Sequence, residues 1–287
     1  MSAGSVCIDG VLYPASEARI SVFDRGFLYG DSAFEVMRTY GGKPFREHAH
    51  LERLRRSCER LLIALADDER ELSRQVARTI AAARLPECYL RVMVTRGEGP
   101  MNIDPAQAVT PSVLVFALPL HTLPADLYEQ GVTVGLSRSA RATDGTSAAG
   151  AKSSNYLAAL LALHEVRQRG CHEALIVNAG GEVIEGATSN VFCVRAGELI
   201  TPPIEAGILA GITRRTVLEL AVQLGVVAHE RALHRDDLYA ADEVFITSSV
   251  REVVPVVRVD DARIGSGRPG PLTARIHAAY RAETERV

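Results

Sequence analysis

Lys152-Ser153-Ser154-Asn155-Tyr156-Leu157 opens the most informative part of this chain. Two further segments follow, Glu185-Gly186-Ala187-Thr188-Ser189-Asn190 and Gly207-Ile208-Leu209-Ala210-Gly211-Ile212-Thr213-Arg214. In this order they supply an amine nucleophile, a carboxylate and a helix N-terminus of the kind that binds anions. Together, these groups are suited to hold and use a phosphorylated aldehyde cofactor.

Lys152 is the candidate nucleophile. The three residues after it favour helix starts, so the pattern predicts a helix over about 154–169 with Lys152 just outside its N-terminus. An exposed lysine at the end of a loop is the plain alternative. Lysine is rare in this chain, however, because Lys43 is the only other one. This rarity and the segments that follow Lys152 together favour a functional amine.

The later segments supply the partners that such a cofactor needs. Glu185 is predicted to face the cofactor's pyridine nitrogen and keep it protonated, which makes the ring an electron sink. A helix that opens at Gly211 offers free amides to a phosphate, and Thr213 offers a hydroxyl. Thr247-Ser248-Ser249, at the end of a predicted strand, offers further hydroxyls and amides. Each piece alone also fits a cap or a turn, but the combination favours a cofactor site.

The bulk composition fits a globular enzyme of two domains. The chain has 287 residues, of which 47% are hydrophobic and 23% charged, as in ordinary proteins of this kind. A formal net charge of -3 argues against a general nucleic-acid binder. The start resembles no secretory signal, and no run is long and apolar enough to span a bilayer. Five scattered cysteines without a C-x-x-C pair indicate a reducing compartment and no metal site, so we predict a cytoplasmic protein.

Hydrophobic periodicity indicates an α+β chain and not a series of βαβ units. Asp9-Gly10, between two short apolar runs, predicts a hairpin. The predicted helices lie at about 48–66, 69–84, 154–169 and 212–224 and from about 271 onward, and the main predicted strands lie at about 33–40, 88–96, 112–118, 132–136, 174–178, 191–194, 244–247 and 253–259. The segment 119–127, which contains two prolines, predicts a linker between an N-terminal domain, 1–118, and a C-terminal domain, 128–287.

Two other patterns are not assigned to the function. Gly265-Ser266-Gly267-Arg268-Pro269-Gly270 matches the G-x-G-x-x-G pattern of dinucleotide sites. The chain ends one helix later, without the second strand that such sites need, so this segment is predicted to be a loop. His48 and His50 lie two residues apart near a helix start and cannot share a helix face. We predict that they lie at the surface or pack against the start of the helix.

With these motifs in view, the chain resembles the class IV, or fold-type IV, aminotransferases that depend on pyridoxal 5′-phosphate. This group includes branched-chain aminotransferases, D-amino acid aminotransferases and aminodeoxychorismate lyases. The resemblance covers nearly the whole chain, from Arg25-Gly26-Phe27-Leu28-Tyr29-Gly30-Asp31 through His50-Leu51-Glu52-Arg53-Leu54 and the three central segments to Ser249-Val250-Arg251-Glu252-Val253. It implies a D-amino acid aminotransferase-like fold, with a smaller N-terminal α/β domain and a larger C-terminal domain that carries the cofactor lysine.

The resemblance also implies roles for single residues. Lys152 matches the Schiff-base lysine, which moves the proton between the substrate's α-carbon and the cofactor. Arg53 matches the phosphate-binding arginine, whose forked side chain suits that group. Tyr156 matches the tyrosine that hydrogen-bonds the ring's 3′-oxygen, and Glu185 matches the partner of the pyridine nitrogen. The other cofactor contacts that it implies are Ile212, Thr213 and Ser249 on the phosphate and Leu209 against the ring face.

The residues matched to the substrate pocket are Tyr29, Phe34, Val36, Arg38, Tyr89, Arg91 and Val250. Strand alternation predicts that Val36 and Arg38 share one side of their strand, as do Tyr89 and Arg91, and arginine with tyrosine suits a carboxylate ligand. Val36 stands where branched-chain enzymes usually carry glycine, and valine there is more like the D-amino acid group. That group's carboxylate-binding Arg-x-His is replaced here by Met101-Asn102-Ile103. The threonine that lyases usually show near Val36 is absent.

We therefore favour an aminotransferase that moves an amino group between a branched-chain, hydrophobic L-amino acid and a 2-oxo acid such as 2-oxoglutarate, with ping-pong turnover. The alternatives are a D-amino acid or (R)-amine transaminase, an aminodeoxychorismate-type lyase, and an inactive cofactor- or metabolite-binding protein of the same fold. The resemblance implies a homodimer in which a loop of one subunit reaches the other's pocket. Small molecules are the expected partners, and neither nucleic acid nor a membrane is expected.

Overall fold

The computed structural model describes residues 3–108, 110–138, 146 and 148–286. The chain divides into two compact units. The first holds the described residues up to 121 and those of the segment 145–155, and the second holds those of 122–144 and 156–286. Lys152, expected from the sequence in the C-terminal domain, lies in the first unit. The bounds 1–118, 119–127 and 128–287 stay a prediction.

The first unit is built on a six-stranded antiparallel sheet. Its described elements are β1 (Ser5–Ile8), β2 (Val11–Pro14), α1 (Arg25–Tyr29), β3 (Ser32–Tyr40), β4 (Lys43–Pro44), α2 (Glu47–Arg60), α3 (Glu69–Ala83), β5 (Cys88–Thr95), a short 3₁₀ helix (Pro105–Gln107) and β6 (Ser112–Pro119). The strand order is β2-β1-β6-β5-β3-β4. The hairpin predicted at Asp9-Gly10 is confirmed, since Ile8 pairs with Val11 and both turn residues have a positive φ, as type I′ turns require.

The second unit is built on a nine-stranded mixed sheet. Its described elements are α4 (Ala125–Gln130), β7 (Val132–Ser137), α5 (Leu157–Gln168), β8 (Glu173–Val177), β9 (Val183–Gly186), β10 (Asn190–Arg195), β11 (Glu198–Thr201), a short 3₁₀ helix (Ile204–Ala206), α6 (Ile212–Gln223), β12 (Ala228–Glu230), α7 (Arg235–Tyr239), β13 (Glu243–Ser248), β14 (Glu252–Val259), β15 (Ala262–Arg263) and α8 (Pro271–Thr284). The strand order is β12-β11-β10-β13-β14-β7-β8-β9, with β15 paired to β14. Each unit thus combines helices with one sheet, which confirms the α+β class.

Each unit has its own apolar core. In the first unit, Leu51, Leu54 and Cys58 form a buried stripe on α2 and pack in one cluster with Leu90 of β5. The core of the second unit is rich in valine from the strands of its sheet, namely Val132, Val134, Val183, Val191, Val244, Val254, Val256 and Val259. Burying a side chain of this size stabilises the fold by about 1.5–3 kcal/mol.

The helix predicted at about 48–66 ends earlier, at Arg60. The carbonyls of Leu61 and Leu62 accept hydrogen bonds of 2.7 and 2.6 Å from the Arg96 guanidinium. A side chain therefore satisfies these acceptors, and a further helical turn does not form. Leu62, which lies inside the predicted helix, has a φ of 57° and is 76% exposed. The leucine spacing could not show this, because the cause is a residue that follows β5.

The C-terminal part agrees with its predicted elements. The segment 265–270 is a loop, as predicted, and Gly270 is the N-cap of α8. The amides of Leu272 and Thr273 donate to the Glu243 carboxylate at 2.9 and 2.7 Å, so a β13 side chain caps this helix. Among the described residues, no helix is both long enough and apolar enough to cross a membrane.

Candidate active-site residues

Lys152 lies in an extended segment against β3. The Phe34 amide donates to the Lys152 carbonyl at 2.9 Å, and Ser153 forms a bridge with Ala33. The Lys152 amide donates to the Ser57 hydroxyl oxygen of α2 at 3.1 Å. The lysine backbone is therefore fixed by a strand and a helix of the first unit.

This placement corrects the expected helix start. We expected a helix over about 154–169, but α5 spans Leu157–Gln168 and its N-cap is Tyr156. The Ser154 amide donates to the Ser32 carbonyl at 3.1 Å, so it is used in pairing with β3 and not in a helix. Lys152 consequently does not lie at a helix N-terminus. Serine and asparagine favour helix starts locally, and here a distant strand determines the conformation.

Phe34 links Lys152 to a predicted substrate residue. The Nζ atom of Lys152 lies 4.7 Å from the centroid of the Phe34 ring. The Cζ atom of Arg91 lies 3.9 Å from the same centroid, a distance typical of cation–π contacts. The structure thus brings together three residues that the sequence assigned to catalysis and substrate binding.

The strand register extends this group along one face of the sheet. Val36 of β3 pairs with Arg91 of β5, and Arg38 pairs with Tyr89. Paired residues point to the same side, and alternate residues of a strand share a side. Phe34, Val36, Arg38, Tyr89 and Arg91 therefore lie on one face. The intervening residues, such as Ala33 and Leu90, lie in the core.

Two arginines stand on this face in different settings. The Cζ atom of Arg38 lies 4.3 Å from the centroid of the Tyr40 ring. The Nε atom of Arg91 is buried and makes no hydrogen bond within the described part of the chain. A buried donor without an acceptor is costly, so this atom favours a ligand with acceptor oxygens. Tyr29, the remaining predicted substrate residue of this unit, ends α1, and its ring centroid lies 5.3 Å from Arg25 Cζ.

Arg53 is held by a buried carboxylate that the sequence reasoning missed. Its Nε and Nη2 atoms each donate to Glu35 at 2.7 Å, a bidentate pair between α2 and β3. Nδ1 of His50 lies 2.8 Å from the same carboxylate. All three side chains are buried. His50 is therefore not a surface residue, whereas His48 is exposed and contacts Glu69.

The electrostatics of this cluster favour an ionised Glu35. Burial raises the pKa of Glu35, but the Arg53 guanidinium and the His50 hydrogen bond outweigh it and lower the pKa to about 2. Burial lowers the pKa of His50, and the contact with Glu35 opposes that shift. The arginine thus has a fixed guanidinium plane, because a forked carboxylate contact leaves it little rotational freedom.

Glu185, the predicted partner of the pyridine nitrogen, belongs to the second unit. It lies on β9 and is buried. Its Oε2 atom accepts a hydrogen bond of 3.0 Å from the Leu209 backbone amide and lies 3.5 Å from the side-chain Nδ2 atom of Asn190. That same nitrogen donates to the Leu209 carbonyl at 3.0 Å. Asn190 therefore ties the carboxylate to the segment before α6, which brings the predicted ring partners Glu185 and Leu209 together.

The start of α6 has the features of an anion site. Gly211 is its N-cap, without a side-chain hydrogen bond, and its first turn contains no acidic residue. Ile212 and Thr213, both buried, supply the first amides. These amides and the helix dipole favour a phosphate group.

Two features next to this helix start fit a phosphorylated ligand. A Cβ atom on Gly211 would lie 1.9 Å from Asn190 Oδ1, so only glycine allows the approach. Thr247 pairs with Asn190 across β13 and β10 and therefore points to the same side. Its hydroxyl oxygen is buried and has no hydrogen-bond partner in the described residues. An anion with several acceptor oxygens suits these donors.

The remaining predicted residues lie elsewhere in the second unit. Ser249 and Val250 lie on the turn between β13 and β14, and Tyr156 is the N-cap of α5. The turn and the segment after Glu185 are joined by hydrogen bonds of Arg251, a residue to which the sequence reasoning gave no role.

Comparisons with known proteins agree with these features. The family profile described as "Amino-transferase class IV" matches residues 32–259. The chain is 34% identical over 284 residues to the branched-chain-amino-acid aminotransferase of Escherichia coli strain K12, covering 97% of this chain and 92% of that protein. It is 34% identical over 274 residues to the D-alanine aminotransferase of Bacillus licheniformis, covering 96% and 95%.

A solved structure supports the same assignment. The branched-chain amino acid aminotransferase from Thermobaculum terrenum, in its PLP-bound holo form, matches with a TM-score of 0.88 at 26% identity, covering 100% of this chain and 95% of that one. The fold, the profile match and relatives of nearly full length agree. The chain belongs to the class IV aminotransferases, whose cofactor is pyridoxal 5′-phosphate.

Proposed function

We propose that this aminotransferase takes the amino group of a branched-chain, hydrophobic L-amino acid and passes it to a 2-oxo acid such as 2-oxoglutarate. The observation that carries the proposal is the sheet face of Phe34, Val36, Arg38, Tyr89 and Arg91. Its apolar and aromatic members suit a hydrophobic side chain, and the buried Nε of Arg91 suits the second carboxylate of the acceptor. The names of the E. coli and Thermobaculum terrenum relatives support the same substrate class.

The proposed residue roles follow the matched motifs. Lys152 carries the reactive amine and moves the proton at the substrate's α-carbon. Arg53, oriented by Glu35, binds the phosphate, and so do Ile212, Thr213 and Ser249. The other proposed roles are Glu185 at the pyridine nitrogen, Tyr156 at the 3′-oxygen, Leu209 at the ring face, and Tyr29 and Val250 at the substrate. When bound, pyridoxal 5′-phosphate supplies the electron sink that makes the α-proton removable.

The chain's own groups are preorganised for these tasks. The Leu209 amide and the Asn190 side chain both lie within hydrogen-bond distance of the Glu185 carboxylate. The backbone pairing of residues 152–154 with β3 fixes the lysine's Cα, which leaves only its side chain to move. Such fixed donors and charges stabilise a developing charge without reorganisation during the reaction.

Gly211→Ala should weaken cofactor binding by about tenfold or more, which corresponds to about 1.4 kcal/mol. The new Cβ would displace the Asn190 side chain, which holds Leu209 and contacts Glu185. Titration of the apoprotein with pyridoxal 5′-phosphate, followed by absorbance, measures the effect. Gly180→Ala, in an exposed turn, is the matched control. Equal affinity in both variants would contradict this assignment of the helix start.

One observation favours a second candidate function. Val36 is more like the D-amino acid group, and the D-alanine aminotransferase of B. licheniformis is as similar in sequence as the E. coli enzyme. A D-amino acid or (R)-amine transaminase is therefore the competing function. The sheet face alone does not determine which stereoisomer is used, because the α-carbon's orientation depends on all groups around it.

Half-reactions distinguish the two functions. The purified yellow holoenzyme is mixed with single L-amino acids, D-amino acids or (R)-amines, without an acceptor, and the visible spectrum is recorded. We expect L-leucine, L-isoleucine and L-valine to convert the cofactor at least about a hundredfold faster than their D-isomers. Faster conversion by D-isomers or (R)-amines would reject the proposed substrate class. No conversion by any amine would favour a binding protein.

We propose that the enzyme is a homodimer. Phe23, Phe27 and Ile103 are 53%, 65% and 85% exposed. The Arg25 guanidinium donates to the Asn102 carbonyl at 2.9 Å, which holds the segment of Ile103 near α1. An exposed apolar group of this kind is typical of subunit interfaces. Light scattering after size exclusion measures the mass, and a monomer at micromolar concentration would oppose the proposal.

A cytoplasmic location is proposed from the cysteines. All five lie in the described residues, are buried and form no disulfide. Burial raises the pKa of the Cys58 and Cys193 thiols to about 12, which keeps them protonated and unreactive. Unbridged, inert thiols suit a reducing compartment.

A further inference from the structure

The turn 248–252, which joins β13 to β14, is attached to another segment of the second unit through Arg251. The Nη2 atom of Arg251 donates to Glu173 Oε2 and to Thr188 Oγ1, each at 2.7 Å. It also lies 3.3 Å from the Thr188 carbonyl. Its Nε atom donates to the Ser248 hydroxyl oxygen at 3.2 Å. One guanidinium therefore connects its own turn with the loop after Glu185.

Glu173, the carboxylate that pairs with Arg251, is buried. It begins β8, and its side chain is 1% exposed. The Thr188 hydroxyl donates to Glu173 Oε2 at 2.7 Å, and the Ala174 amide donates to Oε1 at 3.1 Å. A buried carboxylate is costly without a cation, and within the described part of the chain Arg251 forms an ion pair with Glu173 at 2.7 Å. Arg251, Glu173 and Thr188 thus form a closed triangle of contacts.

The backbone of the turn is held on its other side. The Tyr128 hydroxyl donates to the Arg251 carbonyl at 2.9 Å. Glu252 has a φ of 60°, a conformation that costs free energy in a residue other than glycine. Its carboxylate accepts a hydrogen bond of 3.0 Å from Arg281 Nε of α8, and His277 Nε2 lies 3.0 Å away. The turn is therefore constrained at both ends, with Ser249 and Val250 between the constraints.

We propose that Arg251 is a positioning residue for transamination: through Glu173 and Thr188 it fixes the turn 248–252 against the loop after Glu185, and so sets where Ser249 and Val250 meet phosphate and substrate. The inference rests on the proposed roles of those two residues. Arg251 acts through these contacts, in which its Nη2 atom is engaged by Glu173 and Thr188 and its Nε atom by Ser248. A displaced turn affects binding of both substrates, since both use the same site in ping-pong turnover.

The test combines an activity-independent readout with kinetics. Hydrogen exchange of the turn 248–252 is measured by mass spectrometry in the apoproteins of wild type, Arg251→Ala, Arg251→Lys and Thr188→Val. Arg258→Ala, an exposed arginine on β14, is the matched control. We expect exchange at least about tenfold faster in Arg251→Ala, because the turn loses its attachment. Exchange in Arg251→Lys should lie between that of the wild type and that of Arg251→Ala, since a lysine has one nitrogen in place of the Nε and Nη2 atoms that contact Ser248 and Glu173.

Kinetics then separate positioning from a purely structural role. We expect Arg251→Ala to raise KM for amino donor and acceptor by at least about tenfold, since displacements of about 1 Å have effects of this size. The effects of Arg251→Ala and Thr188→Val should be non-additive. Unchanged KM values overturn the proposal, even where the melting temperature falls. If Arg251→Ala does not fold, the same comparison is made with Arg251→Lys and Thr188→Val. Wild-type protein that transaminates no L-amino acid would reject the proposed function, whereas hydrogen exchange would still test the attachment.

Discussion

We expect Lys152→Ala to lower kcat by at least about 10²- to 10⁴-fold, the range over which positioned proton transfer contributes to enzyme rates. The variant loses the amine that joins the cofactor and moves the α-proton. It should also lose the yellow colour of the holoenzyme, because no amine at position 152 remains to bind the aldehyde. Steady-state kinetics with 2-oxoglutarate and a visible spectrum of the purified variant measure both effects.

The composition of the chain provides a clean control for this experiment. Lys43 is the only other lysine in the sequence, and it is exposed. Lys43→Ala should retain colour and activity within about twofold. Borohydride reduction of the wild type followed by peptide mapping should place the cofactor on Lys152. Label on Lys43, or an active Lys152→Ala variant, would reject the assignment of the reactive lysine.

The second large effect concerns stability. Glu35→Gln should lower the free energy of unfolding by about 3–5 kcal/mol, the cost of leaving one member of a buried ion pair uncompensated. The Arg53 guanidinium would remain buried beside a neutral amide. Urea denaturation measures the change. The control is Glu52→Gln on α2, next to Arg53 in the chain. The Glu52 carboxylate pairs with Arg56 at 3.8 Å at the surface, and such a pair contributes only about 0–1 kcal/mol.

The same pair predicts a dependence on pH. The pKa of Glu35 falls from the ordinary 4.5 to about 2 in the fold. A carboxyl with a lowered pKa stabilises the fold fully above its unfolded pKa, and this contribution of about 3 kcal/mol is lost as the pH falls through the folded pKa. The difference in unfolding free energy between wild type and Glu35→Gln should therefore shrink between about pH 5 and about pH 2. A constant difference would mean that Glu35 is not the titrating group.

Local periodicity was sufficient for most elements of the fold. The strand predicted at 33–40 is Ser32–Tyr40, and the helix predicted at 212–224 is Ile212–Gln223. Periods of 2 and 3.6 residues depend on neighbouring positions and need no knowledge of distant partners. The strand orders of the two sheets were not predictable in this way, because they depend on pairings between residues far apart in the chain. The same limit explains the early end of α2.

The candidate site was likewise predictable where it depends on local sequence, and not where it depends on contacts between distant residues. The common face of Val36, Arg38, Tyr89 and Arg91 follows from alternation and from one strand pairing. Glu35 was missed, although a single carboxylate between the core positions Ala33 and Met37 is a detectable signal. Its partners could not be read from that signal, since Arg53 and His50 come from another element. Only the fold shows that Glu35, which alternates with the residues of the proposed substrate face, orients Arg53, the proposed phosphate-binding residue.

The pairing of residues 152–154 with β3 also determines when, during synthesis of the chain, the first unit can be completed. Strands β1 to β6 leave the ribosome before residue 120, whereas Ser153 follows β7, an element of the second unit. The first unit is therefore completed only after synthesis of the second has begun, unlike a domain that folds from one continuous stretch. A fragment that ends after β6 would contain the sheet and the proposed substrate face, but it would lack the reactive amine.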